Sequence, residues 1–239
     1  MRKRLYLPAP LQTGERTLGA DRAHYLKNVL RVRDDSELTV FDGTGCVANA
    51  SVRHQGRDIG LHIAEVSQAP LPGGPQLHLA FGLLKGKAME QVLRKSTELG
   101  VTHLWPIYTD HTDVPKRALK QGAEDHWRAV LISAAEQCGQ NYLPSLSAVQ
   151  PVSELLAQPP VAQQLCTDAS GTGWPVNLPK ADTLLYVGPE GGWSSQELLS
   201  MQAAAVPVVN LGPLILRAET APLVAITTLA VGWRLGSNA

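Results

Sequence analysis

The stretch Val187-Gly188-Pro189-Glu190-Gly191-Gly192 lies between a predicted strand and a predicted helix. Three glycines around a proline allow the backbone to approach a ligand closely. In a parallel α/β sheet, ligands bind at the carboxyl ends of the strands, which is where this loop is expected. A tight turn without a ligand is the alternative, and the residues alone do not decide between the two. The loop has neither a GxGxxG fingerprint nor a Walker lysine.

A second loop of the same kind is Leu211-Gly212-Pro213-Leu214-Ile215-Leu216-Arg217-Ala218-Glu219-Thr220. Ile215 and Leu216 are apolar within a loop and fit an apolar wall for an adenine. Arg217 and Glu219 stand in an otherwise uncharged stretch. The alternatives are an acid that complements a helix dipole and a surface arginine with a buried stem. Both alternatives stay open for these two residues.

Strands and helices alternate on both sides of these loops. The predicted strands are Leu77-Leu83, Val101-Ile107, Gln164-Thr167, Thr183-Val187 and Val206-Leu211. The predicted helices are Lys85-Leu99, Ala123-Cys138, Ser194-Ala205 and Thr220-Leu235. Ser194 and Glu197 have the spacing of a capping box. This alternation predicts an α/β domain with a largely parallel sheet.

The first 68 residues are instead rich in predicted strands, which suggests a small barrel. These strands are Arg4-Leu7, Glu37-Phe41, Val47-Arg53 and Ile59-Val66, with a hairpin turn at Asp42-Gly45. One short helix is predicted, with Asp21 as its N-cap and with His24, Tyr25, Val29 and Leu30 near helical spacing. The segment Ala69-Pro75 is rich in proline and glycine, so we place the domains at 1–68 and 76–239.

The composition is that of a globular protein and argues against binding to nucleic acid through net charge alone. The chain has 239 residues, of which 44% are hydrophobic and 18% are charged, as in ordinary globular proteins. The net charge is zero, which argues against binding to nucleic acid by bulk charge alone. Residues 1–33, however, contain eight basic residues and two acidic ones. This asymmetry favours a polyanionic partner, although a solvated helix face is the alternative for any one cluster.

Rings and cations alternate within this basic segment, as in surfaces that bind RNA. The candidate RNA-binding residues are Arg22, His24, Lys27, Arg31 and Arg33, together with Lys85 and Lys87 in a second cluster.

Glu136 lies in the last turn of a predicted helix, where the dipole disfavours an acid. It has either a tertiary role or a solvated position.

The sequence indicates neither a metal site nor a secreted or membrane-bound protein. The histidines form no HExxH motif and have no zinc-site spacing with cysteines, so we expect no metal. Three scattered cysteines without a CxxC motif suit a reducing cytoplasm. No signal-peptide-like or membrane-spanning stretch is evident, so we expect a cytoplasmic protein without a membrane partner.

Several motifs together resemble one family. They are His24-Tyr25-Leu26-Lys27-Asn28-Val29-Leu30-Arg31, Phe41-Asp42-Gly43-Thr44-Gly45, Lys85-Gly86-Lys87-Ala88-Met89-Glu90, Lys95-Ser96-Thr97-Glu98-Leu99-Gly100-Val101, Ala135-Glu136-Gln137-Cys138-Gly139 and the two loops, extended to Ser194 and to Ala221. In this order they resemble the RsmE family of 16S ribosomal RNA uracil-N3 methyltransferases, of the SPOUT superfamily. The resemblance covers nearly the whole chain.

The resemblance implies a fold and a cofactor. It implies a small PUA-like β-barrel for RNA, followed by an α/β SPOUT methyltransferase domain with a trefoil knot, in a homodimer. It implies S-adenosylmethionine in the knot. The implied cofactor-binding residues are Thr167, Gly188, Pro189, Glu190, Gly191, Gly192, Leu211, Gly212, Ile215, Leu216 and Thr220. The implied catalytic residues are Arg217, Glu219 and Glu136.

The implied activity is methylation of N3 of a uridine in the decoding region of 16S ribosomal RNA, late in maturation of the small ribosomal subunit. Two features depart from the family pattern, since Leu214 replaces an arginine and Gln140-Asn141-Tyr142 replaces Arg-Asn-Arg. Both changes remove cations. The alternatives are a catalytically inert RNA-binding protein with the same fold and a SPOUT methyltransferase that acts on transfer RNA.

Overall fold

The computed structural model describes residues 3–29, 31–55, 58–115, 122–175 and 178–235. It divides into two compact units. The first unit comprises Met1–Pro72 and Ile132–Leu143, and the second comprises Gly73–Leu131 and Pro144–Ala239. The final turns of one long helix and the residues after it therefore belong to the first unit.

The first unit is built on a six-stranded sheet. Its elements are β1 (Arg4–Tyr6), β2 (Gly14–Thr17), α1 (Ala20–His24), a π-helix (Tyr25–Val29), β3 (Glu37–Phe41), β4 (Cys46–Gln55), β5 (Asp58–Ile63) and β6 (Ser67–Gln68). The strand order is β1-β3-β4-β5-β2, with β6 beside β4. Strand β1 pairs with β3 in parallel and the other pairs are antiparallel. The predicted β-rich region is confirmed, with β2 and β6 in addition.

Alternating side chains of this sheet form one apolar core. Leu38, Val40, Val52, Leu61 and Ile63 lie in it, since residues two apart along a strand face the same side. The predicted N-cap at Asp21 is wrong, because α1 already begins at Ala20 and the Ala23 N–H donates to the Gly19 carbonyl. The predicted helix-face residue Leu30 lies outside the described residues.

The second unit is an α/β unit with a parallel sheet. Its elements are β7 (Leu77–Gly82), α2 (Gly86–Glu98), β8 (His103–Tyr108), α3 (Ala123–Cys138), β9 (Ser145–Leu146), β10 (Gln150–Pro151), α4 (Val152–Ala157), β11 (Gln163–Thr172), β12 (Thr183–Val187), α5 (Ser195–Ala203), β13 (Val208–Val209) and α6 (Ala221–Leu235). The strand order is β10-β8-β7-β12-β11-β13, with β9 beside β8, and all pairs are parallel.

Helices bury both faces of this sheet, which is why β7 and β12 are almost continuous apolar runs. Leu79 and Leu185 face a core shared with α2, α3 and α6. Ala80 and Tyr186 face a core shared with α4 and α5. The predicted parallel α/β architecture is therefore confirmed. The short elements β9, β10 and α4 were not predicted, because segments this short carry little periodicity.

Candidate functional site

A cavity of about 280 Å³ lies at the carboxyl end of β12, beside residues 167–169 of β11 and the loop after β13. This is the edge at which ligands bind in parallel sheets. Its lining comprises Thr167, Asp168, Ala169, Val187, Gly188, Pro189, Glu190, Gly192, Trp193, Asn210, Leu211, Gly212, Pro213, Leu214, Ile215, Leu216, Ala218 and Ala221. Most of these groups are apolar or backbone, with a few polar side chains, as is usual for small-molecule sites.

The glycine loop after β12 is held by a proline against a neighbouring strand. Pro189 is buried, and a Cβ at Gly82, the last residue of β7, would lie 2.5 Å from the Pro189 nitrogen. Only glycine leaves room for this contact. The turn closes with a 3.0 Å hydrogen bond from the Gly192 N–H to the Pro189 carbonyl, and Gly192 has a φ of 68°. The left-handed conformation favours glycine at this position.

Trp193 ties the glycine loop to β11. Its indole Nε1 donates to the Thr167 carbonyl at 3.0 Å, and the ring is buried. The Thr167 hydroxyl in turn donates to the Tyr186 carbonyl at 3.2 Å. Helix α5 then begins with the predicted capping box, because Ser194 and Glu197 each accept from the other's backbone N–H. These contacts fix the loop between two rigid elements.

Strand β11 bulges beside the cavity. Thr167 and Thr172 both pair with Val209, so the residues between them leave the ladder. Backbones approach closely here, since a Cβ at Gly171 would lie 2.6 Å from the Val209 carbonyl carbon. The bulge places Asp168 and Ala169 in the cavity lining. Bulges often redirect side chains next to functional sites.

The loop after β13 forms the opposite wall. The Asn210 side chain accepts from the Gly212 N–H at 3.0 Å. Leu214 and Ile215 are 78% and 93% exposed, although they line the cavity. The Arg217 carbonyl accepts from the Thr220 N–H at 2.8 Å, which starts α6. The loop thus presents two large apolar side chains to solvent at the rim of the cavity.

The structure brings nine of the eleven predicted cofactor-binding residues to the cavity. These are Thr167, Gly188, Pro189, Glu190, Gly192, Leu211, Gly212, Ile215 and Leu216. Gly191 and Thr220 do not line it. The Gly191 carbonyl is 2.9 Å from the His111 Nδ1, so Gly191 faces another loop.

Four further residues line the cavity and were not predicted: Asp168, Ala169, Trp193 and Asn210. Asp168 directly follows the predicted strand Gln164-Thr167 and Trp193 directly follows the glycine loop, so position was their signal. Ala169 and Asn210 had no such signal, since Asn210 lies within the predicted strand Val206-Leu211. The prediction ended β11 at Thr167, whereas the strand continues through the bulge to Thr172.

The predicted catalytic residues lie in different units. Arg217 is exposed and Glu219 is half-buried, in the loop that lines the cavity, but neither lines it. No hydrogen bond or ion pair joins the Arg217 side chain to the described residues. Glu136 belongs to the first unit.

Glu136 is only 9% exposed, so the solvated alternative for it is wrong. Its Oε1 accepts from the Tyr6 N–H at 2.9 Å and lies 3.4 Å from Arg22 Nη1. Its Oε2 accepts from the Tyr25 hydroxyl at 3.3 Å. Burial raises the pKa of Glu136, and these donors partly oppose that rise. The carboxylate thus links β1 to α1 and the π-helix.

The other predicted RNA-binding residues of the first unit are accessible. His24 and Arg33 are exposed, while Lys27 is half-buried. Arg31 is exposed and has a φ of 49°, a left-handed conformation that is uncommon outside glycine. In the second unit, Lys85 lies 3.5 Å from Asp113, and Lys87 is exposed on α2.

The residues that replace Arg-Asn-Arg have internal partners in the first unit. Arg4 Nη2 donates to the Gln140 carbonyl at 3.0 Å and to Asn141 Oδ1 at 2.6 Å. The Tyr142 hydroxyl donates to the Ala69 carbonyl at 2.8 Å. A Cβ at Gly45 would lie 2.3 Å from the Tyr142 ring, so the turn after β3 packs directly on it. These residues therefore stabilise the first unit.

In the described part of the chain, no helix is long and apolar enough to cross a membrane. Likewise, no group of three or more potential metal ligands occurs among the described residues.

Comparisons with known proteins agree on one family. A family model described as an RNA methyltransferase domain matches residues 72–230, and one described as an RNA methyltransferase PUA domain matches residues 18–58. Ribosomal RNA small subunit methyltransferase E of Synechocystis is 32% identical over 225 residues, which cover 89% of this chain and 72% of that protein. The protein of the same name from Bacillus subtilis is 26% identical over 229 residues, covering 90% and 89%.

Two solved structures are similar in fold over nearly the whole chain. A methyltransferase from Legionella pneumophila, solved with bound SAM, has a TM-score of 0.86 and 30% identity, over 97% of this chain and 98% of that one. The ribosomal RNA small subunit methyltransferase E of Neisseria gonorrhoeae, solved with S-adenosyl methionine, also has a TM-score of 0.86 and 30% identity, over 98% of both chains.

Proposed function

Since the chain belongs to the ribosomal RNA small subunit methyltransferase E family, we propose that it methylates N3 of a uridine in the decoding region of 16S ribosomal RNA, late in small-subunit maturation. The protein is an S-adenosylmethionine-dependent ribosomal RNA methyltransferase. The observation that carries the proposal is the cavity at the carboxyl end of β12 and beside β11, which lies within the part matched by the RNA methyltransferase model.

The residues present fit S-adenosylmethionine. Leu211, Pro213 and Leu216 offer an apolar wall to an adenine, while Thr167 and Asn210 offer polar groups nearby. The glycine loop offers backbone that lies close to the cavity because Pro189 fixes it against Gly82. When bound, the cofactor supplies a methyl group attached to a positively charged sulfur.

Arg217 and Glu219 are the residues that we propose for the reaction. The N3 proton of uracil is only weakly acidic, so methylation requires its removal or a stabilised anion. Arg217 is an exposed cation without a side-chain partner among the described residues, beside the cavity. It is therefore free to hold negative charge that develops on a uracil carbonyl. Glu219 would orient the base or accept its proton.

Only the family resemblance implies a role for Glu136 in the reaction. Its three donors in the first unit favour a positioning role, in which it fixes Arg22 and Tyr25 for RNA. The proposed RNA contacts are then Arg22, His24, Lys27, Arg31 and Arg33, with Lys85 and Lys87 in the second unit.

We propose the trefoil knot and the homodimer as well. The parallel order β12-β11-β13 and the close backbone contact at Gly171 support the knot. The family resemblance supports the homodimer and a cytoplasmic location. Sedimentation equilibrium of the purified protein tests the dimer, and a monomer at all concentrations would contradict it.

The activity is tested with three RNA substrates. Small ribosomal subunits that lack the modification, naked 16S ribosomal RNA and bulk transfer RNA are incubated with the enzyme and labelled cofactor. We expect 3-methyluridine, identified by nucleoside mass spectrometry, in the small ribosomal subunits and not in transfer RNA. Comparison with naked 16S ribosomal RNA tests whether the enzyme requires the assembled subunit. Cofactor binding without methylation of any RNA would point to the inert RNA-binding alternative.

A further inference from the structure

The cavity is lined by acidic residues without basic ones. Asp168 and Glu190 are its charged lining residues, and no lysine or arginine of the described residues lines it. Glu190 is exposed on the glycine loop, whereas Asp168 is half-buried on the bulge of β11. Both charges are negative, so the cavity favours a cation over a neutral group of the same shape.

The geometry of Asp168 leaves one carboxylate oxygen available. Its Oδ1 accepts from the Ser170 N–H at 2.9 Å and from the Ser170 hydroxyl at 2.6 Å. These two bonds fix the side chain within the bulge. Within the described chain, no hydrogen bond or ion pair engages Oδ2. This oxygen is therefore available to attract a cationic ligand in the cavity.

The cofactor and its product differ in charge at one atom. S-adenosylmethionine has a positively charged sulfonium, and S-adenosylhomocysteine has a neutral thioether in its place. Both molecules share the adenosine, the ammonium and the carboxylate. A carboxylate that contacts a shared group strengthens the binding of both, whereas one that attracts the sulfonium strengthens only the methyl donor.

We propose that Asp168 makes the cavity discriminate the cationic methyl donor from its neutral product, so that the product leaves more readily after transfer. This inference rests on the proposed function, which assigns the cofactor to this cavity. It makes Asp168 a residue that determines specificity between substrate and product, beyond the binding provided by the two loops.

Isothermal titration calorimetry measures the Kd of each ligand for the wild type and for Asp168→Asn. Asparagine retains the side-chain oxygen that accepts from Ser170, so the bulge is preserved. We expect the ratio of the product Kd to the methyl-donor Kd to fall roughly tenfold, which corresponds to about 1.4 kcal/mol. Asp168→Glu, which retains the charge, should recover part of the ratio. An equal loss of affinity for both ligands would overturn the proposal.

Glu154→Gln is the matched control. It removes one negative charge from an exposed position on α4 in the same unit, away from the cavity lining. We expect Glu154→Gln to leave the ratio of the product Kd to the methyl-donor Kd unchanged. If this ratio fell as much as in Asp168→Asn, the effect would come from net charge and the proposal would be overturned.

A measurement on the wild type does not depend on the folding of any variant. Raising the salt concentration should reduce the ratio of the product Kd to the methyl-donor Kd, because salt screens the attraction between the partly exposed Asp168 carboxylate and the sulfonium. A ratio that is independent of salt overturns the proposal. Failure of the wild type to bind either ligand would instead contradict the proposed function.

Discussion

Arg217 is the residue whose loss should separate catalysis from stability. Arg217→Ala removes an exposed side chain with no partner among the described residues, so the melting temperature should stay the same. The rate of methyl transfer should fall roughly 100- to 1,000-fold, the scale for removing one preorganised donor. Arg217→Lys should recover only part of the rate, since lysine lacks the planar fork of donors.

Single-turnover methylation and thermal unfolding are measured on the same preparation. Arg128→Ala, at an exposed arginine on α3, serves as the control and should retain the rate. A near-normal rate for Arg217→Ala would remove this residue from the reaction.

Gly82 should affect cofactor affinity although it does not line the cavity. In Gly82→Ala, the new Cβ would meet the Pro189 nitrogen at 2.5 Å, so the glycine loop must shift. Such overpacking costs about 1–3 kcal/mol, and we expect the Kd for S-adenosylmethionine to rise at least tenfold.

Gly173→Ala is the matched control, because a Cβ there meets nothing within 4 Å. Calorimetry measures both variants. If Gly82→Ala binds the cofactor normally, the contact with Pro189 does not hold the loop.

At the scale of elements, Glu136 connects β1 with α1 and the π-helix. Glu136→Ala leaves the buried Tyr6 N–H without its acceptor, which costs about 1–3 kcal/mol. We expect a lower melting temperature and weaker RNA binding, with unchanged affinity for S-adenosylmethionine. Glu136→Gln keeps an acceptor oxygen and should recover most of the stability.

Glu65→Ala, at an exposed position of the first unit, is the control and should leave the melting temperature unchanged. The positioning role would be contradicted if Glu136→Gln were as stable as the wild type, bound RNA normally and yet had lost methyl transfer. That pattern would make the carboxylate a participant in the reaction.

The elements with strong local signals were predictable from the sequence. Strands β3 and β12 and helix α3 have the predicted limits, and the capping box at Ser194 is present. The bulge in β11 was not predictable, because it depends on pairing with β13, a strand distant in sequence. The place of Ala169 in the cavity lining was not predictable for this reason. The acceptor role of Glu136 was also hidden, since its partners lie more than a hundred residues away.

At the scale of the whole molecule, stability should decline in mild acid because of a buried histidine. His78 is 3% exposed, and its ring stacks on the His103 ring with 4.0 Å between the ring centroids. Burial, with a smaller contribution from His103, lowers the pKa of His78 to about 4, and Asp182 partly opposes the shift. The unfolded chain thus binds the proton more readily. The contribution of His78 to stability is fully present above pH ~6.5 and is lost as the pH falls towards about 4.

The measurement is the free energy of unfolding in urea from pH 7 to pH 4.5. His78 should contribute a slope of at most about 1.4 kcal/mol per pH unit, which His78→Phe should remove. His126→Gln, at an exposed histidine of the same unit, should retain the slope. An identical slope in His78→Phe would assign the acid sensitivity to other groups.

The first unit is made of two separate stretches of the chain, so it is completed late during synthesis. Its contacts include those of Ala135 with Tyr6 and Phe41 and the bond from the Tyr6 N–H to Glu136. The ribosome makes Tyr6 early but adds residues 132–143 only after β7, α2 and β8. Part of the apolar surface of β1 therefore stays uncovered while residues 73–131, which belong to the second unit, are translated. An amino-terminal fragment that stops at Pro72 would retain that uncovered surface permanently.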